Sequence, residues 1–327
     1  MRHRRTKITL VVVAVILVLL AFAVYLRKKA PPEAARLLPE SDGIVYINLR
    51  PLRAATHFDR RPVQHDPEYQ KFIDATGIQF ERDLDEAAFA LHRMANPAGP
   101  NGPVAFSEVF TGHFDGRRLT KFLESEAASE ETYAGHTIYS IPNEGRTVRV
   151  VLLGYDMVAV SNTPTAEQIH SILDRYRSAA LPFSGSTLLG DHYQDVPLLS
   201  LAWGIGQIGL PFGDSGDIHI LGVRLPVTFD STFIASLRWA GALHLRIEEI
   251  APSEEAAAAS ADSVQTLVNL FRAAQPAASG PDAADWKPLL DSIKIEHHKD
   301  RAVLRATLPN ALLEKMLNPE TLQPPQR

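Results

Sequence analysis

Three glycines in the second half of the chain have the spacing of a cofactor-binding motif. Gly204, Gly206 and Gly209 match G-x-G-x-x-G, the pattern with which dinucleotide-binding proteins hold a pyrophosphate. That chemistry needs a helix to begin at the last glycine, so that its backbone N–H groups and dipole meet the phosphates. Pro211 follows instead, with two more glycines and no helical pattern. We therefore expect a glycine-rich loop or bend over 204–216 and no cofactor.

A second motif invites a catalytic interpretation. Gly213-Asp214-Ser215-Gly216 resembles the segment around the nucleophile of chymotrypsin-like proteases. Such an enzyme also needs an oriented histidine base and a buried aspartate upstream. The family's Ala-Ala-His-Cys segment is missing, and so is its all-β pattern. Glycine, aspartate and serine supply the dihedral angles and local hydrogen bonds of a turn, which is the structure we expect here.

Histidines and carboxylates raise the question of a metal site. None of the twelve histidines forms the i, i+4 helical pair that places two imidazoles on one face. His297 and His298 fall in a predicted strand and point to opposite faces. Two distant sets could still converge in space, but we assign no metal ligands. The candidates are His57 with Asp59, His65-Asp66, His113 with Asp115, Asp191-His192 and His297-His298. The paired carboxylates Asp83/Asp85 and Glu248/Glu249 are expected to be solvated surface charges.

Composition excludes several classes of protein. The chain contains no cysteine, so disulfides, thiolate nucleophiles and cysteine metal sites are impossible. Residues 1–29 hold seven Lys or Arg and no acid, which leaves 26 basic against 38 acidic residues in the remainder. A region with this excess of acidic residues lacks the patch of positive charge that neutralises nucleic-acid phosphates. Nucleic acid is therefore not an expected partner.

An apolar stretch near the N-terminus precedes the strands and helices that would position any site. Residues 8–26 are 19 residues without a charge, which as a helix span about 28 Å, close to the thickness of the bilayer core. We predict an uncleaved transmembrane anchor. The rival is a cleaved signal peptide, since Ala21-Phe22-Ala23 has the small-x-small pattern of a cleavage site. Against cleavage, the stretch exceeds a usual signal core and Arg27-Lys28-Lys29 follows it.

The orientation of the predicted anchor in the membrane depends on the charges that flank it. Basic residues flank both ends of the anchor, so the positive-inside count is a tie. An N-terminal apolar segment behind a basic tail normally acts as an export signal. We therefore expect the bacterial inner membrane, with the globular part extracytoplasmic.

Beyond the anchor, strands and helices alternate. Hairpin-then-helix units recur at 147–176, 233–274 and 292–317, either from internal duplication or because this unit is common. Together they predict an α+β architecture of antiparallel sheet with helices packed on one face, built as two related halves if the repetition reflects duplication. The predicted organisation is a cytoplasmic tail (1–7), the transmembrane helix (8–26), a linker (27–36), a first half (37–180), a second half (195–318) and a disordered tail (319–327).

Three segments, together with the anchor, resemble a family of uncharacterised bacterial membrane-anchored envelope proteins. They are 38–49 (LPESDGIVYINL), 110–115 (FTGHFD) and 156–161 (DMVAVS). The resemblance implies a location and a fold and carries no activity.

Three functions remain open. The first is a non-enzymatic module that binds or scaffolds another envelope protein, with the bilayer held through residues 8–26. The second is a module that binds a lipid or another apolar ligand between helices and sheet. The third is a hydrolase built from Asp, Glu and His. No catalytic residue is assigned.

Overall fold

A computed structural model describes residues 30–60, 65–178, 185–207, 218–220, 223–225, 231–274 and 283–310. The predicted anchor at 8–26, Gly209, the segment 213–216 and the tail 319–327 lie outside these residues. Most of the helix expected over 309–317 lies outside them too. Within the described ranges, no helix is both long and apolar enough to cross a bilayer.

Antiparallel strands form the body of the fold. The strands are β1 (Gly43–Asn48), β2 (Leu84–Arg93), β3 (Val104–Gly112), β4 (Ser129–Tyr133), β5 (His136–Asn143), β6 (Arg146–Leu152), β7 (Met157–Ser161), β8 (Ala202–Gln207), β9 (Ile218–Ile220), β10 (Val223–Leu225), β11 (Thr232–Trp239), β12 (Leu243–Ile250), β13 (Lys294–His298) and β14 (Arg301–Leu308). The helices are α1 (Glu33–Leu37), α2 (Leu49–Thr56), α3 (Pro67–Thr76), α4 (Phe80–Asp83), α5 (Gly116–Glu126), α6 (Glu167–Ser178), α7 (Thr187–His192), α8 (Glu254–Ala274) and α9 (Ala283–Ser292). Two 3-10 turns lie at Phe58–Arg60 and Tyr193–Asp195.

Twelve strands join in one sheet, in the order β13-β14-β12-β11-β8-β1-β2-β3-β7-β6-β5-β4. The remaining pair, β9 and β10, forms a separate hairpin. Strands from both predicted halves share the large sheet, because β8 pairs with β1 along the register from Gly43↔Gly206 to Ile47↔Ala202. The predicted α+β class with a large antiparallel sheet is confirmed.

One face of the sheet is sealed by helices, and we call it the closed face. Its central side chains include Ile44, Ala88, Val109 and Ile205, all fully buried or nearly so. Helices α1, α6 and α7 cover them with a set of equally buried apolar residues: Ala34, Ala35, Leu37, Ile169, Ile172, Leu173 and Leu189. This cluster is the main core of the molecule.

Helices also pack on the opposite face, so the prediction that they occupy one face only is wrong. Leu119 and Leu123 of α5 pack on Val150 and Val158, whose strand neighbours Val151 and Ala159 point into the closed-face core. At the far margin of the same face, Ala257 and Ala261 of α8 pack on β14. The reason is that β6 and β7 are apolar on both sides, and each side needs a cover.

Local side-chain signals account for several helix ends. Asp66 caps α3 through the N–H of Tyr69, and Gly77 ends that helix with a φ of 75°. Asp115 caps α5, and the Ser253 hydroxyl accepts from the N–H of Ala256 at the start of α8. Residues 33–36, by contrast, were expected in a linker and belong to α1, because its alanines and leucine pack on the sheet.

The predicted glycine-rich loop is also wrong in part. Gly204 and Gly206 lie inside strand β8, between β1 and β11. Gly206 is required by close approach: a Cβ there would lie 2.7 Å from Gly43 Cα and 2.8 Å from the Asp42 carbonyl oxygen. A Cβ on Gly204 would make ordinary contacts of 3.5 Å and 3.7 Å. The first two glycines of the motif therefore serve the sheet and not a phosphate.

This difference between the two glycines gives a stability prediction. Gly206→Ala should lower the free energy of unfolding by about 1–3 kcal/mol, because the backbone of β1 must move to admit the methyl group. Gly204→Ala, two residues along the same strand, is the control and should change stability much less. Urea unfolding of both variants measures the difference. Equal stability of the two variants would contradict the proposed close contact.

Candidate functional site

Five central strands, β3, β2, β1, β8 and β11, are buried unequally on their two faces. Along β1, Ile44 and Tyr46 point to the closed face and are buried, whereas Val45 and Ile47 are only partly buried. The same alternation runs through the other four strands. The buried exceptions on the second face are Gly43 on β1, Ala87 on β2, and Val104 and Gly112 on β3. We call this second side of the five strands the trough. An antiparallel sheet that faces water usually carries polar side chains there, and the trough does not.

Apolar side chains line the trough almost throughout. The strand register places them side by side across the five strands: Phe106 and Phe110 on β3, Phe89 and Leu91 on β2, Val45 and Ile47 on β1, Ala202 and Gly204 on β8, and Phe233, Ala235 and Leu237 on β11. The rings of Phe89 and Phe110 meet edge to face at 5.9 Å. The small residues Ala202, Gly204 and Ala235 lie on β8 and β11, and β1 separates them from the phenylalanines of β2 and β3.

Helices bound the trough on both sides. Helix α5 packs over β5, β6 and β7, and α8 packs over β14 with Ile295 of β13. With strands about 4.8 Å apart and helices about 10 Å across, the facing sides of these two described helices are roughly 20 Å apart. That separation exceeds the width of an extended hydrocarbon chain.

Glu108 is the one carboxylate on the floor of the trough in these five strands. It lies opposite Phe89 on β2 and Val160 on β7, with Phe106 and Phe110 two residues away on its own strand. No side chain among the described residues hydrogen-bonds to it or pairs with its charge. Burial among these groups raises the pKa of Glu108 from its ordinary value of 4.5 to about 7. The trough therefore contains a carboxyl that is largely neutral in mild acid.

Glu108 is not among the residues predicted from sequence, although its position between two phenylalanines indicates its surroundings. Phe106, Glu108 and Phe110 alternate in a predicted strand, so all three share one face. A lone acid between two phenylalanines at this spacing indicates a carboxyl on an apolar surface.

A charged cluster lies where β2 begins, at one end of the trough. Asp85 is the extra residue of a β-bulge, and its buried carboxylate pairs with Arg50 at 3.0 Å and with Arg53 at 3.1 Å. Arg53 also donates to the carbonyl oxygens of Glu81 and Leu84. His113 Nδ1 lies 3.5 Å from the same carboxylate. The cluster fixes α2 to the edge of β2 and leaves Arg50 and His113 facing solvent.

The expectation of solvated carboxylates is wrong for three of the four paired residues, because Asp85, Glu248 and Glu249 are buried. Glu248 lies 2.8 Å from Arg301 Nη1 and 2.7 Å from Arg246 Nη2. Its Oε2 contacts Arg246 outside hydrogen-bonding geometry, so the second contact is an ion pair alone. Glu249 accepts a hydrogen bond of 2.8 Å from the Ser231 hydroxyl. These acids are structural because nearby side chains compensate their burial.

The candidate histidines remain scattered. Over the described residues, no three His, Asp or Glu side chains converge as a metal site. His297 and His298 lie in β13 as expected. Three histidines do contact carboxylates: His65 with Glu81 at 3.1 Å, His113 with Asp85 at 3.5 Å and His170 with Glu131 at 2.9 Å. No serine or threonine hydroxyl is hydrogen-bonded to any of these three imidazoles in the described part of the chain.

A buried hydroxyl relay resembles part of a catalytic dyad. His92 Nε2 lies 2.9 Å from Ser107 Oγ, which lies 3.2 Å from Ser161 Oγ, and Ser161 contacts Thr163 at 2.8 Å. Burial lowers the pKa of His92, against the opposing charge of Asp42. Both serines have no exposed surface, so no substrate reaches them. The relay ties β2, β3 and β7 together beneath the closed face.

No family model and no curated protein matches the chain. Solved chains that match include three crystal forms of a protein named TP0453. Form III is 11% identical, with 87% of this chain and 97% of that chain covered, and a TM-score of 0.46. Form I is 11% identical, with 88% of this chain and 98% of that chain covered, and a TM-score of 0.45. Form IV is 10% identical, with 88% of this chain and 96% of that chain covered, and a TM-score of 0.44. At these TM-scores the likeness supports no conclusion about function.

The raised pKa of Glu108 predicts a pH-dependent stability. A carboxyl whose pKa is higher in the folded state stabilises the fold below its ordinary value of 4.5, and this stability is lost as pH rises through about 7. Glu108→Gln removes this loss of stability at high pH, because a glutamine side chain does not ionise. The variant should match the wild type at pH 4 and be more stable at pH 8 by about 2–3 kcal/mol.

Thermal unfolding across this pH range measures the effect. Glu130→Gln is the control, because Glu130 lies on the same face of the edge strand β4 and is exposed. Its stability difference from the wild type should not vary in this way with pH. A Glu108→Gln difference that stays constant from pH 4 to pH 8 would show that Glu108 is solvated.

Proposed function

We propose that this chain is a non-enzymatic, membrane-anchored binding module whose trough holds a hydrocarbon chain of a lipid. The observation that carries the proposal is the unequal burial of five central strands. Their closed face is sealed, and their other face is apolar yet only partly buried. Large apolar surfaces left partly open on a folded protein mark sites that a ligand or partner covers.

The chemistry of the surface favours hydrocarbon as its occupant. An extended peptide lying there would bury backbone N–H and C=O groups, each of which needs a partner. The strands beneath are already paired on both sides, so they offer none. An acyl chain has no polar groups to satisfy, and its burial gains about 0.8 kcal/mol per CH₂.

Glu108 gives the trough one polar contact. Below about pH 7 the protonated carboxyl can donate a single hydrogen bond to an ester or carboxyl oxygen of a lipid. Once ionised, the carboxylate would be costly beneath a hydrocarbon chain. Lipid binding should therefore weaken as pH rises above 7.

The predicted anchor supports the same function. Residues 8–26 would keep the trough beside a bilayer, where acyl chains are abundant. An amphipathic helix of another envelope protein is the alternative occupant, because a helix satisfies its own backbone. That alternative retains the scaffolding role and requires no lipid in the trough.

Photo-crosslinking distinguishes the two occupants. The full chain is reconstituted in phosphatidylcholine vesicles that contain a phosphatidylcholine with a diazirine on its acyl chain. After irradiation, mass spectrometry should locate adducts on β3 and β8 as well as on residues 8–26. Adducts confined to 8–26 would contradict lipid binding in the trough and leave the anchor intact.

Matched variants test the location of the adducts. Gly204→Leu should reduce adducts on β3 and β8 severalfold, because the new side chain enters the trough from a position where a Cβ meets no atom closer than 3.5 Å. Ala235→Leu, on the neighbouring strand, should act in the same way. Gly190→Leu is the control, since a Cβ on that residue of α7 meets nothing within 4 Å. Equal adduct yields in all three variants would contradict the trough as the site.

A further inference from the structure

Four large apolar side chains are exposed at one end of the central strands, two of them in a loop and two at the ends of α4 and β11. Phe80 of α4 is 46% exposed, Leu198 48%, Leu199 75% and Trp239 37%. We call these four residues the apolar rim. Single exposed apolar residues are ordinary, but a group of them at one place on a protein marks a contact surface.

Hydrogen bonds between strand ends place the rim at a single end of the sheet. Asn48, the last residue of β1, donates from its N–H to the carbonyl oxygen of Leu201 at 2.6 Å. Leu201 donates in turn to the carbonyl oxygen of Leu237 at 2.7 Å, two residues before Trp239. Asn48 also pairs with Glu86 near the start of β2, which Phe80 closely precedes. The rim therefore follows the ends of four adjacent strands, where the trough also ends.

Leu199 combines an unfavourable backbone conformation with an exposed side chain. Its φ is 63°, in the left-handed region, which costs a non-glycine residue about 1–2 kcal/mol. With three quarters of its surface exposed, the side chain gains little from packing within the chain.

The predicted anchor joins the folded part through Glu33 at the start of α1. The alanines and leucine of this helix pack on the closed face of the central strands. Six residues separate Glu33 from the end of the predicted anchor at Leu26. Even fully extended, they reach only about 20 Å.

We propose that the apolar rim inserts into the surface of the bilayer that holds residues 8–26, so that the end of the trough opens towards lipid. This inference rests on the proposed membrane anchor. The short connection keeps the folded part near the bilayer, and Trp and Leu side chains suit the boundary between headgroups and acyl chains. The exposed guanidinium groups of Arg50 and Arg82 lie at the same end and can reach phosphate or ester oxygens.

Spin labels at matched positions test the orientation. The chain has no cysteine, so Leu199→Cys and Glu144→Cys each provide a single labelling site. Both residues are exposed, and both have positive φ, 63° and 48°. Glu144 lies in the β5–β6 turn at the opposite end of the sheet. Each full-length variant is labelled with a nitroxide, reconstituted in phosphatidylcholine vesicles and floated on a density gradient.

Power saturation with oxygen and with a water-soluble nickel chelate then reports the surroundings of each label. We expect the label at 199 to have a severalfold higher ratio of oxygen to nickel accessibility than the label at 144. Leu198→Cys, labelled in the same way, should agree with 199. Equal, water-like ratios at all three positions in chain that floats with the vesicles would overturn the inference while the anchor stands. Chain that fails to float would overturn both.

Discussion

The central constraint on this molecule is that five adjacent strands are apolar on both faces, while helices of the described chain seal only one of them. On the closed face, buried residues such as Ile44, Ala88 and Val109 pack under α1, α6 and α7. On the other face, α5 and α8 pack at the margins. The trough between them is a consequence of this arrangement, and its apolar lining requires a cover of matching chemistry.

Glu108 shows that the trough is more than excess apolar surface. A sheet that only needed solubility would place lysines or several acids there. The chain instead has one carboxyl among three phenylalanines, with its pKa raised to about 7 by burial. The buried acids elsewhere differ, because Asp85 and Glu248 each have arginine partners. The cost of burying Glu108 is thus uncompensated within the described chain, as expected of a group that serves a ligand.

Local features of the fold could be predicted from sequence, and non-local ones could not. Caps at Asp66, Asp115 and Ser253 act within a few residues, so the sequence around each helix start is enough to account for it. The strand role of Gly206 depends on Gly43, which is distant along the chain. Likewise, Glu248 is buried because Arg301, 53 residues away, pairs with it. The trough was partly predictable, since Phe106, Glu108 and Phe110 alternate, but its margins depend on where α5 and α8 pack.

The most direct test of a hydrocarbon-binding trough is the ionisation of Glu108 itself. The chain is labelled with ¹³C at glutamate side chains, assigned with Glu108→Gln and titrated by NMR in phosphatidylcholine nanodiscs and in lipid-free amphipathic polymer. An acyl chain above the carboxyl would exclude more water, so the pKa should be near 7 without lipid and higher in nanodiscs. A pKa near 4.5 in both environments would contradict the account, because it would mean that Glu108 faces water and the trough is empty.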